Sequence, residues 1–462
     1  MILAVALIAA PSLAGREAAA PPAPAAAVPA TSSSFLAMSD IHYVGASGVT
    51  CKQAGVETDA TLWSAAQAEA QQVIRDEKPA FVIDLGDLPS HCDGRPASEF
   101  TAALDGLAAI AGTGTKVIYV PGNNDSLAGD YGAFTVGGQT PLATSAAWRA
   151  GPVLNAAPGD MISTEHFALG FYAVYAVRAT ATAPALRVIA LNTTIFAAKY
   201  AQHVATYQAD ADAQLEWLDE QLKDARSKHE KVIIAMHVPP GTDGYGGNTG
   251  TNITTMWNSG LTYRGSDPDL TAGAWVEKDF LELVARYRRE IVGLLSSHTH
   301  QNEIRRLRDC SRKLPKLGAF TELDVAIPSV TTDHNNNPSI KLFRYDRQFE
   351  WTENRTFYAP SQTGQAPNVT GAGWAANPPL SFDADNYPCP SCKTGDTLRT
   401  RIAVLDKATT IGTSHGLTTL MMNWLAVGAT RPGAREYELA LDATCEVPTS
   451  ANVLVRPRRV RR

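Results

Sequence analysis

Short apolar runs recur along the first two-thirds of the chain, and each stops at polar or turn-forming residues. They are Phe35 to Ser39, Phe81 to Leu85, Lys116 to Val120, Leu186 to Asn192, Lys231 to Met236 and Ile291 to Ser296. Runs this short, bounded by Gly, Pro or Asn, predict buried strands. Longer stretches between them carry helical spacing. In Asp59 to Lys78, Leu62, Ala66, Ala70 and Val73 share one face, Thr58 or Asp59 can cap the start, and Pro79 ends the helix. Ser98 to Ile110, Ala211 to Ser227 (Leu215, Leu218 and Leu222 on one side) and Ala274 to Arg289 follow the same pattern, with Trp217 expected in the core. Strands alternating with helices predict an α/β fold with parallel pairs. Residues 126–185 read as loop-rich. Ala326 to Tyr345 reads as two strands joined by the Asn-rich turn Asn335 to Pro338, and Asp406 to Trp424 as one helix.

Composition changes this picture in only a few places. The apolar share of 45% and charged share of 19% are those of a globular chain, and a net charge of −6 argues against a specific nucleic-acid partner. The tail Arg456 to Arg462 is locally basic and reads as a solvated end. Met1 to Ala14 is apolar, too short to span a bilayer, and ends in a small-residue cleavage site. Gly15 to Ser34 is Ala/Pro/Ser-rich. Residues 1–34 are therefore expected to be a signal peptide and leader, with no transmembrane anchor in the mature chain. Residues 35–350 are expected to form the catalytic domain, and residues 351–462, rich in Pro, Gly, Asn and Thr, a C-terminal extension of loop with some helix. The chain is expected to be periplasmic or secreted. Six cysteines then permit disulfides. Cys51 with Cys92 and Cys310 with Cys445 are the expected pairs. Cys389 and Cys392 read as a local disulfide, with a redox or zinc motif as the alternative.

The chemistry sits where the strands stop. Asp40-Ile41-His42, Gly86-Asp87, Asn123-Asn124-Asp125, His237 and His298-Thr299-His300 each follow a predicted strand. Any one of them alone reads as a turn Asp, a turn Asn or a hydrogen-bonded His. Together they point to one metal pocket, with Asp87 as a carboxylate shared between two ions. Alternate residues of an extended chain share a face, so Asp40 with His42, and His298 with His300, are expected to act as pairs. The Gly-rich loop Gly241 to Gly250 is expected to cover a substrate.

These blocks resemble the calcineurin-like metallophosphoesterase superfamily, whose motifs are D-x-H, G-D, G-N-H, a lone His, and G-H-x-H. GDLPSH (86–91), LNT (191–193), QLEWL (214–218), KVIIAMHVPPG (231–241), HTH (298–300) and NNNPSIKLFRYD (335–346) are similar to its acid sphingomyelinase-like phosphodiesterase branch. The resemblance covers residues 35 to 350. It implies a four-layer α-β-β-α sandwich with an irregular C-terminal extension. It also implies one metal held by Asp40, His42, Asp87 and His300, and a second held by Asp87, Asn123, His237 and His298. His91 matches the branch's histidine near the leaving group. Asn124 stands where the family has a histidine that acts at the scissile phosphate, and Ser297 stands where it has a glycine.

This donor set suits phosphate ester hydrolysis. Two dications about 4 Å apart repel by roughly 16 kcal/mol at an effective dielectric near 20, which a shared carboxylate and a bridging hydroxide offset. Water held there titrates near pH 7 and becomes a nucleophile. Zinc is the first choice for the two divalent ions, with manganese or iron as alternatives. His91 is the expected general acid, and Asn124 is the second catalytic position. The expected function is an exported phosphodiesterase acting on a small-molecule or lipid-headgroup phosphate ester. The alternatives are a phosphomonoesterase or nucleotidase, a metal-binding protein that has lost turnover, and, less suited to this ligand set, a two-zinc peptidase.

Overall fold

A computed structural model of the chain describes residues 33–45, 57–92, 97–112, 114–241, 255–308, 320–360, 374, 379–382, 393 and 395–403. Residues 1–32 of the predicted leader, most of the Gly-rich loop, the predicted helix Asp406 to Trp424, the basic tail and every cysteine except Cys92 lie outside these residues, whereas Ser33 and Ser34, placed in the leader by composition, begin the first strand.

The first sheet contains β1 (Ser33–Met38), β2 (Phe81–Asp84), β3 (Lys116–Tyr119), β4 (Val153–Leu154), β12 (Ser339–Tyr345), β13 (Trp351–Tyr358) and β14 (Leu380–Phe382), in the order β14-β13-β12-β1-β2-β3-β4. β1, β2 and β3 are parallel, with Leu36 beside Val82 and Val82 beside Val117. The second sheet contains β5 (Met161–Ser163), β6 (Tyr172–Val177), β7 (Leu186–Ala190), β8 (Lys231–Ala235), β9 (Ile291–Ser296), β10 (Ile304–Arg308) and β11 (Phe320–Ala326), in the order β10-β11-β9-β8-β7-β6-β5. Its β7, β8, β9 and β11 are parallel.

The side-chain period of two builds the layers. Phe35, Ala37, Phe81 and Ile83 point from the first sheet into an apolar layer shared with Tyr172, Val174, Val188 and Ile233 of the second. Their neighbours Leu36, Met38 and Val82 point the other way, onto α1 (Ala60–Glu77) and α2 (Ala97–Ala111). Ile189, Val232 and Ile234 point outward onto α4 (Tyr207–Ser227) and α5 (Val276–Arg286). The result is the expected α-β-β-α sandwich. Within the central layer, Phe35 stacks between Phe81 and Phe343 at 5.0 and 4.7 Å. Truncating such a ring costs about 3–5 kcal/mol.

Local chemistry sets the element ends. The Asp59 carboxylate caps α1 by accepting from the Leu62 N–H at 2.8 Å. Lys78 then turns left-handed, because Pro79 closes the helical region to the residue before it. Trp217 is buried in α4, where its indole N–H donates to Ser163 at 2.9 Å. A short helix, α3 (Tyr200–His203), precedes α4, and α6 (Leu398–Ala403) is the last element described.

Two expectations are corrected. Ala326 to Tyr345 is not a pair of strands joined by a turn, because β11 ends at Ala326 and only β12 follows. Residues 327–338 instead cross from one sheet to the other, with the Val330 and Thr331 N–H groups donating to the Ser39 and Asp40 carbonyls. Beyond residue 350 the chain is not only loop and helix. β13 extends the first sheet, and its buried Trp351 fills space that a Cβ on Gly293 would invade at 2.6 Å. The polar composition of 351–358 hid that strand.

Candidate metal centre

The ends of parallel strands from both sheets converge on one place, as open α/β sheets arrange their sites. After β1 come Asp40 and His42, after β2 Asp87, and after β3 Asn123 and Asn124. From the second sheet, His237 follows β8, and His298 and His300 follow β9. Backbone bonds tie the loops together. The Asp40 and His42 N–H groups donate to the Gly86 and Asp87 carbonyls, each at 2.9 Å, and Ser297 N–H donates to the His237 carbonyl at 2.9 Å.

Extended-chain alternation is not what groups these residues: Asp40 and His42 do come together with Asp87, whereas His298 and His300 part. Asp40, His42, Asp87, His298 and His300 all have positive φ, between 45° and 69°. Each strand stops and its loop curls in the left-handed region, a cost that L side chains bear mainly at functional positions. His298 and His300 accordingly join different groups, the first with Asp87 and His237, the second with His42 and His91. Ser297 is absent from the positive-φ residues, and its hydroxyl donates to Asp40.

Two glycines let the loops touch. A Cβ on Gly86 (φ +85°) would lie 2.2 Å from the Gly122 nitrogen, and one on Gly122 would lie 2.1 Å from an Asp87 oxygen. The buried Asp125 then staples the turns together. Its carboxylate accepts from the Asp87, Leu88 and Gly122 N–H groups, each at 2.8 Å.

Asp40 Oδ1 faces Nε2 of His300, His42 and His237 at 3.3, 3.7 and 3.8 Å. Asp87 Oδ2 faces Nε2 of His237 and His42 at 3.1 and 3.6 Å. Ligands on a tetrahedral zinc ion, bonded at 2.0–2.1 Å, lie about 3.4 Å from one another. The spacing is therefore that of donors around a shared cation. On the far side of each ring, Nδ1 of His42, His237 and His300 meets the carbonyl of Pro89, Leu85 and Asp333 at 3.0, 2.7 and 3.1 Å. A carbonyl accepts, so Nδ1 carries the proton and Nε2 presents a lone pair.

The unmet polar atoms fit cations too. Asp40 Oδ1, His42 Nε2, Asn123 Oδ1 and His237 Nε2 are buried without a hydrogen bond. Asn123 Nδ2 donates to Asp130 at 2.8 Å, which turns its oxygen the other way. Charge agrees. Burial opposes ionisation of Asp40, yet His300 and His237 hold it well below the carboxylate range. Burial opposes a charged His42, but the Asp40 carboxylate beside it and the charges of Glu57 and Asp87 push it up to about 10. Burial likewise opposes a charged His237, which Asp87 and Asp40 push up to about 9. Burial, with His237 beside it, lowers His298 to about 3. The pocket draws in positive charge, and divalent ions supply it while leaving the imidazoles neutral.

A cavity of about 360 Å³ adjoins the cluster, lined by Asp87, His91, Asn123, His298 and His300 together with Asp130, Tyr131, Lys199, Met256 and His334. His91 thus lies where a substrate would. Asn124 does not. It is fully buried, and its backbone and side-chain N–H groups both donate to Asp87 at 2.8 Å. Sequence reasoning missed Glu57, Asp130, Tyr131, Lys199, Asp333 and His334. No strand-end pattern marks them, although two polar residues, Asp333 and His334, stand within the crossover between β11 and β12. Cys92 is buried and disulfide-bonded, and its partner lies outside the described residues.

The Calcineurin-like phosphoesterase family profile matches residues 33–302. Sphingomyelin phosphodiesterase 2 of Caenorhabditis elegans is 28% identical over 47% of this chain and 29% of its own length. Cyclic GMP-AMP phosphodiesterase SMPDL3A of Homo sapiens is 29% identical over 38% of this chain and 33% of its own length. These matches span about a third of each relative. Among solved structures, a dimetal phosphatase from Danio rerio aligns over 71% of this chain and 95% of its own, with 16% identity and a TM-score of 0.40.

Proposed function

Because the chain belongs to the calcineurin-like phosphoesterase family and so is a hydrolase of phosphate esters, we propose that it is a dinuclear phosphodiesterase. Asp40, His42, Asp87 and His300 hold one divalent ion, and Asp87, Asn123, His237 and His298 hold the other. Zinc suits this mixture of imidazole and carboxylate best, with manganese or iron as alternatives. The observation that carries the reading is the set of Nε2 lone pairs, each fixed by a carbonyl behind its ring, facing two buried carboxylates. The names of the relatives, both phosphodiesterases, support a diester substrate.

Two ions held there supply Lewis acidity and a water acidic enough to attack at ambient pH. The chain's own residues do the rest. Asp40 and Asp87 offset the cationic charge, and Asn124, bonded to both Asp87 oxygens, fixes the shared carboxylate. His91, on the cavity wall, donates a proton to the leaving oxygen. The cavity takes a small-molecule or lipid-headgroup ester.

Export to the periplasm or outside the cell is proposed from residues 1–34 alone. Among the described residues no helix is long and apolar enough to cross a membrane. A Cys51–Cys92 disulfide is proposed with it.

Metal-reconstituted protein assayed in parallel on bis(4-nitrophenyl) and 4-nitrophenyl phosphate tests the reading. Faster release from the diester, with two metals per chain by elemental analysis, is expected. Preference for the monoester reverses the substrate assignment. Two bound metals without turnover on either ester would leave a metal-binding protein.

A further inference from the structure

We propose that Glu57 is the positioning residue for His91, a step that rests on the phosphodiesterase reading above. Glu57 is only 1% exposed. A buried carboxylate is costly unless hydrogen-bonded. Its Oε1 accepts from the His91 backbone N–H at 3.1 Å and meets His91 Nδ1 at 2.8 Å. A carboxylate accepts, so the proton between them sits on Nδ1. Nε2 is then the ring nitrogen left for the cavity.

Two further contacts hold the ring. Its face stacks on His42 at 3.9 Å, with 20° between the planes, and Asp333 Oδ2 lies 3.6 Å from Nδ1. Glu57 comes from the segment before α1, His91 from the loop after β2 and Asp333 from the crossover between β11 and β12. Three distant parts of the chain thus fix one imidazole. The logic is that of a carboxylate–imidazole pair, where the acid sets tautomer and orientation and is not itself consumed. As water's oxygen bonds to phosphorus, the ester P–O bond breaks and the leaving alkoxide takes the Nε2 proton. The imidazole recovers a proton from the attacking water, and the Nδ1 proton stays on the side of Glu57 throughout.

The same three side chains offer atoms within 4.8 Å of one another and could instead hold a cation. The test separates the two. Full-length wild type, Glu57→Ala, Glu57→Gln and His91→Ala are reconstituted with metal. They are assayed on a dialkyl phosphate, whose alkoxide needs a proton, and on bis(4-nitrophenyl) phosphate, whose phenolate does not. We expect Glu57→Ala to lower kcat on the dialkyl ester by about 10–100-fold and on the nitrophenyl ester by about 3-fold, with KM and metal content unchanged, part of the 10²–10⁴-fold a general acid supplies. Glu57→Gln falls between, because its amide oxygen still accepts from Nδ1. Equal losses on both esters overturn the proposal, as does a third metal in the wild type that Glu57→Ala removes. If the alanine variant does not fold, the isosteric glutamine variant decides by the same ratio. Wild type inactive on both esters overturns the parent reading and this one together, whereas turnover with equal losses overturns this one alone.

Discussion

Two buried polar clusters show how differently one fold can treat charge. On β7, Arg187 is fully buried, and the protein itself supplies its partners. Its guanidinium donates to Glu230, Asp224 and Gln221, and Glu230 also accepts from Tyr175. At the candidate metal centre the inventory does not balance. Carboxylate and imidazole atoms crowd together, and several buried ones lack a hydrogen bond. A network closed by its own side chains holds structure, whereas one left open is shaped for something from outside.

The sharpest way to break the contrast is to remove the shared carboxylate. Asp87→Asn is expected to bind fewer than two metals per chain by elemental analysis. Its turnover should fall by more than the roughly 10–100-fold that losing an outer partner of a metal ligand costs. Two metals in that variant would refute the shared ligand.

Arg187→Met should do the reverse, costing stability and leaving the metals. Removing one partner of a buried ion pair costs about 3–5 kcal/mol, and the partial exposure of Asp224 places this case near about 3. Urea denaturation with metal analysis checks both halves. Lost metal would show that the clusters are not independent.

The smallest effect concerns Glu277, a buried carboxyl outside both clusters. Burial, only partly offset by the Gly241 N–H and Arg305, pushes it up to about 8. Its folded pKa lies above the unfolded 4.5, so the folded chain keeps a proton that the unfolded chain releases. Stability therefore declines as pH rises from about 4.5 to 8. Glu277→Gln is expected to equal wild type in stability at pH 4.5 and to exceed it increasingly as pH rises to 8, measured by urea denaturation across that range. A gain that does not vary with pH would contradict the assignment.

The sequence exposed whatever depends on short-range pattern. Six strands and four helices lie where period and caps placed them, and the nine candidate residues lie at strand ends or in the loops just after. What it hid depends on long-range register. β10 (IRRLR) and β13 (WTENRTFY) carry too many polar residues to read as strands, yet pairing and burial make them so. Asn124 matched a catalytic position by motif, but only the meeting of two loops shows that its amide turns inward to Asp87. Glu57 and Asp333 lie far from every motif residue they serve, and folding alone brings them to His91. Even a right grouping had a wrong reason. Asp40 and His42 converge through left-handed turns, not through the alternation of an extended strand.

Those turns place two demands on the same residues. Five candidate ligands occupy backbone angles that glycine adopts at no steric cost. At these positions the backbone alone would accept glycine, yet Asp40, His42, Asp87 and His300 are buried and bonded to their neighbours, so the loops keep their shape only while both demands are met.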